Sequence, residues 1–290
     1  MIKLNKVFLQ LLVSANLVFA AAYAEPAMLH LEQVATLPHE LKETSALTYY
    51  RGLLWTVVDS DSTTIFGINP KTGRIDKQVS ITNAKPRDWE AITQDKNAIY
   101  VGDVGNNRGD RGFVVIYRVD KNAMRCLDHA DSCQVTSQPF TAYFPKFKPA
   151  KIHYMHPYDI EGMTIHDSTI TLYNKNWTDR TKTLRYVFSI KDNNPALEQH
   201  PAIPIPMIAT DVSKYDDQLW ILGYQLDEHG KQPYLTQFKQ RKGKFDLINT
   251  WKLDLHAQIE GLAVVSEKEI YFTCEKDKTH KAALFKASTI

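Results

Sequence analysis

A short phrase that returns five times constrains this chain more than any other feature. The copies are Thr44-Ser45-Ala46-Leu47, Trp89-Glu90-Ala91-Ile92, Ile160-Glu161-Gly162-Met163, Ala209-Thr210-Asp211-Val212 and Ile259-Glu260-Gly261-Leu262. The key positions 45, 90, 161, 210 and 260 are separated by 45, 71, 49 and 50 residues. Periods of this size mark arrays of small units that bury their apolar faces only against one another. About ten residues after each key position comes an aromatic or β-branched pair: Leu54-Trp55, Ile99-Tyr100, Ile170-Thr171, Leu219-Trp220 and Ile270-Tyr271. That offset fits one strand, a tight turn and a second strand.

Third strands read as Thr64–Ile68, Phe113–Tyr117 and Leu184–Phe188, and outer fourth strands as Asp76–Ile81, Pro139–Phe147 and Phe245–Leu253. Four-stranded antiparallel meanders at this period are propeller blades. The sequence therefore predicts an all-β, five-bladed β-propeller. After Glu260 only about three strands fit. The β-like run Leu29–Leu37 is expected to complete the last blade, because joining the chain ends removes an exposed sheet edge. The rival architecture is a six-bladed ring with a divergent blade inside residues 122–158, the segment that lengthens the second repeat.

The chain opens with Lys3 and Lys6, an apolar run from Val7 to Ala22, and Ala22-Tyr23-Ala24. This is the three-part pattern of a cleaved leader, so residues 1–24 are expected to be a signal peptide and residues 25–290 one propeller domain, periplasmic or secreted. No membrane span is expected once the leader is removed. Without Lys3 and Lys6 the 35 basic residues fall to 33, equal to the 33 acidic ones, so no bulk charge speaks for nucleic acid. Cys126 and Cys133 flank a polar loop that a disulfide closes in an oxidising compartment, and Cys274 sits in an apolar run as an inert thiol.

In a propeller the innermost strand of each blade lines the central channel, so Ser45, Glu90, Glu161, Thr210 and Glu260 should converge near one mouth. Three unpaired carboxylates in a narrow channel either take up protons or demand a counter-ion. All five groups offer oxygen, which selects Ca²⁺ or Mg²⁺, with adaptable coordination favouring Ca²⁺. The alternative is that backbone amides and channel waters satisfy the glutamates without an ion.

The loops on that face are polar: Asp59–Ser62, Asp103–Arg111, Asn174–Trp177 and Glu275–Lys278. Arg87, Arg108, Arg111 and Lys175 are candidates to hold a small anionic ligand, within loops that also carry Asn106 and Asn107. Trp89 or Trp177 offers a stacking surface. Asp59, Asp103 or Glu275 is the candidate to position a water. His153 and His156 read as a solvated loop pair, since Pro157 argues against a helix there. No nucleophile elbow or phosphate-binding glycine loop is visible in the sequence.

Asp88-Trp89-Glu90, the run Tyr100–Arg108 with its Gly105-Asn106-Asn107, Asp159–Gly162, Lys175-Asn176-Trp177 and Ile259-Glu260-Gly261 resemble a group of exported bacterial propellers that brings no established reaction with it. The likeness covers nearly all of the mature chain. More remotely, the order Ser, Glu, Glu, hydroxyl, Glu is similar to the calcium-activated nucleotidase (apyrase) family, whose five-bladed channel holds Ca²⁺ beside a nucleoside diphosphate. That resemblance implies Ser45, Glu90, Glu161, Thr210 and Glu260 as calcium ligands, direct or through water. Thr210 stands where that family has serine, and its substrate-gripping loops do not align here. Three functions follow as expectations. They are a calcium-dependent phosphoanhydride or phosphoester hydrolase, a non-enzymatic propeller that binds a ligand or a protein, and, with six blades, an esterase or lactonase. A monomer is expected.

Overall fold

Runs rich in Val, Ile, Leu and aromatic residues, many of them closed by Gly, Asp or Asn at a turn, form 22 strands among the described residues. The computed structural model describes residues 25–287; the expected leader lies outside them. No helix among these residues is long and apolar enough to cross a membrane.

The chain enters through β1 (Ala27–Leu29) and β2 (Leu31–Thr36). The first blade is β3 (Thr44–Tyr50), β4 (Leu53–Val58), β5 (Thr64–Ile68) and β6 (Ile75–Ile81). The second is β7 (Trp89–Gln94), β8 (Ala98–Asp103) and β9 (Phe113–Asp120), with β11 (Gln138–Tyr143) outermost and β10 (Ser132–Val135) before it in the chain. The third is β12 (Ile160–His166), β13 (Thr169–Asn174), β14 (Lys182–Ser189) and β15 (Glu198–Pro204). The fourth is β16 (Ile208–Tyr215), β17 (Gln218–Asp227), β18 (Gly230–Arg241) and β19 (Lys244–Leu253). The fifth is β20 (Ile259–Ser266), β21 (Glu269–Cys274) and β22 (Ala283–Ala287).

Strand β2 pairs antiparallel with β22 and completes the fifth blade, as the N-terminal run predicts. Strand β1 lies parallel to β19 as an extra edge of the fourth. Five blades account for the described chain, and residues 122–158 do not build a sixth. Their β10 adds in parallel to β6 of blade one, while β11 completes blade two. The Cys126–Cys133 bridge closes the loop that leads into β10, and Cys274 is buried, its thiol pushed up to about 11 chiefly by that burial.

The apolar core is split into five wedges, one at each blade junction. Trp55, Ile65, Trp89 and Tyr117 fill the first; Tyr100, Phe144, Met163 and Tyr186 fill the second. Tyr173, Ile203, Ile221 and Phe238 fill the third, Trp220, Trp251, Leu262 and Phe272 the fourth, and Leu41, Leu54, Phe66 and Tyr271 the last. Each blade is too thin to enclose a core, so it buries side chains on both faces against its neighbours. The innermost strands β3, β7, β12, β16 and β20 follow one another around the channel and close on β3.

Candidate functional site at the channel mouth

Every innermost strand breaks register at its key residue. Pairing skips Ser45 in β3, Glu90 in β7, Glu161 in β12, Thr210 in β16 and Glu260 in β20. Each is the extra residue of a β-bulge, the device that re-aims a side chain without ending a strand. The five equivalent bulges bring the key residues together at one end of the channel. No side-chain pattern announces them; only a shared offset between first and second strands hints at an extra residue.

Carboxylate oxygens of Glu90, Glu161 and Glu260 lie within 4.8 Å of one another. All three residues are buried, and Glu161 is 0% exposed. The two hydroxyls act between blades: Ser45 Oγ donates to the carbonyl of Trp89 at 2.6 Å and Thr210 Oγ1 to that of Ile259 at 2.9 Å. Each acceptor is the residue just before the next blade's bulged glutamate. A hydroxyl that donates its proton in this way keeps its lone pairs, so both remain compatible with a cation's coordination shell.

Lys175, a candidate to hold an anionic ligand, comes from the turn after β13. Its ammonium enters the cluster, 3.0 Å from Glu161 Oε2 and 3.3 Å from Glu260 Oε1. One ammonium does not balance three carboxylates. Burial, followed by the other carboxylates, holds Glu90 well above the usual range; burial also raises Glu161, against the pull of Lys175. Glu260 is held low because Lys175, hydrogen bonds and Lys231 outweigh its own burial. Neither carboxylate oxygen of Glu161 has a hydrogen-bond partner, nor does Glu90 Oε2. Lys175 is thus near Glu161 without well-aimed hydrogen bonds.

Above the cluster opens a cavity of about 480 Å³, bordered by Asp59, Glu90, Asn107, Lys175, Trp177, Glu260 and Glu275, and also by Tyr154, Arg180, Tyr224, Lys231 and Gln258. Burial, then Glu43, raises the Asp59 carboxyl to about 6. Burial and the adjacent Glu260 raise Glu275 to about 10. Gln258 Nε2 donates to Glu260 Oε1 at 2.8 Å and to Glu275 Oε2 at 2.6 Å, bridging the two. Trp177 meets Tyr154 at 5.5 Å and Tyr224 at 6.2 Å between ring centres, with the Arg180 guanidinium 6.0 Å from its ring. A flanking cavity of about 400 Å³, which shares Asp59 and Asn107, carries Arg87, Asp88 and Arg108.

Several expected site residues serve the scaffold instead. Arg111 Nη1 donates to Asp103 Oδ1 at 2.6 Å, both side chains almost fully buried, so neither grips a ligand nor positions a water. Trp89 is 0% exposed and packs at 5.8 Å from Tyr117 in the first wedge, leaving no face for stacking. Asn106 is spent on its own turn: its amide donates to the Arg111 carbonyl at 2.9 Å, and its backbone N–H donates to Asp159 Oδ1 at 2.8 Å. Arg87 pairs with Asp110 at 2.6 Å on the rim. His153 is exposed, but His156 is buried, stacked on Tyr158 at 5.7 Å and hydrogen-bonded to the Asn107 carbonyl at 3.2 Å.

The likeness to known structures is one of fold. The chain is similar to the catalytic domain of the GH62 α-L-arabinofuranosidase of Coprinopsis cinerea, with a TM-score of 0.50, 10% identity, and coverage of 91% of this chain and 97% of that one. It is equally similar to the α-L-arabinofuranosidase of Podospora anserina solved in complex with cellotriose, with a TM-score of 0.50, 7% identity, and coverage of 90% and 96%. No protein-family profile matches the chain, and no curated protein matches it in sequence.

Sequence reasoning missed Tyr154, Arg180, Tyr224, Lys231 and Gln258. Lys231 and Gln258 lie beside strand ends, and Tyr154 lies on the loop before β12. None belongs to a repeated phrase, so no periodic signal marks them. Asp211, next to the bulged Thr210, stands in a repeat copy but not among the expected site residues. It accepts backbone N–H groups of Leu47 at 3.3 Å, Val212 at 2.7 Å and Leu262 at 2.7 Å, tying blades one, four and five across the channel.

Proposed function

We propose that this chain is an exported calcium-binding propeller that holds a small anionic ligand at its channel mouth. The observation that carries this reading is the charge deficit at the bulged glutamates. Three buried carboxylates face one ammonium, and three of their oxygens have no hydrogen-bond partner. Ionised together, the three carboxylates leave two negative charges beyond that ammonium, which one divalent cation offsets in place of the protons that burial otherwise keeps on Glu90 and Glu161. A shell of carboxylate, hydroxyl and water oxygens suits Ca²⁺, with Mg²⁺ the runner-up. Glu90, Glu161 and Glu260 would hold the ion, with Ser45 and Thr210 beside them. Arg108, Arg180 and Lys231 supply positive charge around the cavities above, and Trp177 an aromatic wall.

Elemental analysis of the purified protein, with thermal melting in calcium and in chelator, tests the reading on wild type and on Glu161→Gln. Stoichiometric calcium is expected. At a hundredfold excess over Kd the ion stabilises the fold by about 2.7 kcal/mol. The Glu161→Gln variant should lose that increment. A melting point indifferent to chelator, with no metal in the protein, sinks the proposal.

A second reading, calcium-dependent hydrolysis of a phosphoester or phosphoanhydride, is favoured by Asp59 and Glu275. Both face the same cavity, and their carboxyls are raised to about 6 and about 10. The first is poised to accept a proton from water attacking phosphorus, the second to donate one to the departing oxygen. Hydrolysis in wild type that Asp59→Asn abolishes while calcium stays bound would promote this reading. No turnover of either bond class would leave ligand binding as the function.

A further inference from the structure

The turn after β13 carries both the buried cation of the cluster and the aromatic wall of the cavity. Its backbone is fixed at both residues: Lys175 N–H donates to the Asp159 carbonyl at 2.9 Å and Trp177 N–H to the Lys175 carbonyl at 3.0 Å. The Lys175 side chain, by contrast, is held through its ammonium alone, which pairs with Glu161 at 3.0 Å and donates to Glu260 Oε1 at 3.3 Å. It borders the cavity of about 480 Å³, on a flexible four-carbon stem that ends between Glu161 and Glu260.

A divalent ion that draws on the three glutamates competes with this ammonium for the same oxygens, and like charges in so small a space repel. The two cations do not share the cluster on equal terms. Neighbouring blades and the wedge cores close off the sides, whereas the cavity bordered by Trp177, Tyr154 and Tyr224 lies open to the lysine.

We propose that Lys175 is an exchangeable counter-ion: calcium displaces its ammonium from Glu161 and Glu260 into the mouth cavity, where it binds an oxyanion group of the ligand beside Trp177. This rests on the calcium reading given above and adds a linkage to it. The metal-free cluster is self-capped by lysine, and the anion site exists only once the metal is seated. Cation and anion then bind cooperatively, each raising the affinity for the other by the same factor, as linkage requires. The ligand class follows as a small molecule bearing phosphate or carboxylate on a ring that packs against indole.

Acetylation of wild-type protein, followed at Lys175 by peptide mass spectrometry, tests this directly, with calcium occupancy measured in parallel by calorimetry. Lys175 should label at least tenfold faster with calcium than in chelator. Inorganic phosphate should protect it again in the calcium-loaded protein, and acetate should do so if a carboxylate is the natural group. Lys175→Met should bind calcium at least tenfold more tightly, and phosphate should no longer affect that binding. Bound calcium with Lys175 equally protected in both states, or a phosphate effect that persists in Lys175→Met, overturns the inference alone. Absence of bound calcium in both proteins overturns the cation reading on which it rests.

Discussion

Two buried charge systems meet on the second blade, where β7 carries Glu90 and β8 ends on Asp103, and they are built to opposite ends. Asp103 and Arg111 form a closed pair: Arg111 Nη1 meets Asp103 Oδ1 at 2.6 Å, and Arg111 Nη2 donates to the carbonyls of Asp103 at 3.0 Å and Gly105 at 2.7 Å. The backbone N–H groups of Arg87 and Asp88 complete Asp103 at 3.2 and 3.1 Å. One positive charge meets one negative charge, with most hydrogen-bonding capacity used. The bulged glutamates are the reverse, three carboxylates against one ammonium with oxygens left bare. A balanced pair rigidifies a loop and leaves nothing to bind. A deficit held in place by five equivalent bulges is the feature on which the proposed cation site rests.

Breaking the closed pair should produce the largest loss. Replacing Arg111 by Met leaves a buried, uncompensated Asp103 and should cost about 3–5 kcal/mol of stability in urea unfolding. Adding Asp103→Leu should recover part of that loss, because it removes the buried charge, although the backbone N–H groups of Arg87 and Asp88 then lose their acceptor. If Arg111→Met alone is neutral, the pair does not hold the loop in place.

Gly105 joins the two systems, and a smaller loss is expected there. A Cβ at this position would lie 2.5 Å from Cγ of both Asp88 and Glu90. Gly105→Ala should therefore cost about 1–3 kcal/mol by overpacking. It should also shrink the calcium-dependent shift in melting temperature, since Glu90 must move. A full calcium shift in Gly105→Ala would separate the loop from the site.

The smallest effect expected is on pH dependence. Asp59 has its folded-state carboxyl raised from 3.8 to about 6, so the native state holds this proton more tightly than the unfolded chain does. Its contribution favours folding below about pH 4 and is lost as pH rises from there through 6. In chelator, Asp59→Asn should flatten the fall of melting temperature between pH 4 and 6 relative to wild type. Calcium, which binds the ionised carboxylates, should favour higher pH and oppose that slope. An unchanged slope in Asp59→Asn would mean that its carboxyl is not held protonated in the fold.

The blade pattern was legible because strands and turns are local. Leu54-Trp55 and its four counterparts mark second strands by composition and spacing alone, and β5 occupies Thr64–Ile68 as read. Residues 122–158 were legible as an insertion but not as the edge strand of blade one. Parallel pairing of β10 with β6, more than 50 residues away, leaves no trace in either segment. Likewise His156 reads as solvated beside Pro157, yet packing on Tyr158 and the Asn107 carbonyl buries it.

By itself the sequence determined that five glutamate or hydroxyl residues recur at one structural position, and hence that they meet, because a repeated phrase in a closed ring has nowhere else to point. Only the tertiary structure decided which charges they meet. Lys175 and Arg111 both read as basic residues on polar loops, yet one reaches into the channel beside Glu161 and Glu260 while the other turns back onto Asp103. Trp89 and Trp177 both read as exposed rings, yet one is core and the other wall. Charge pairing and burial depend on distances between residues far apart in the chain. Those distances are fixed by how the blades pack, not by the residues' own neighbours.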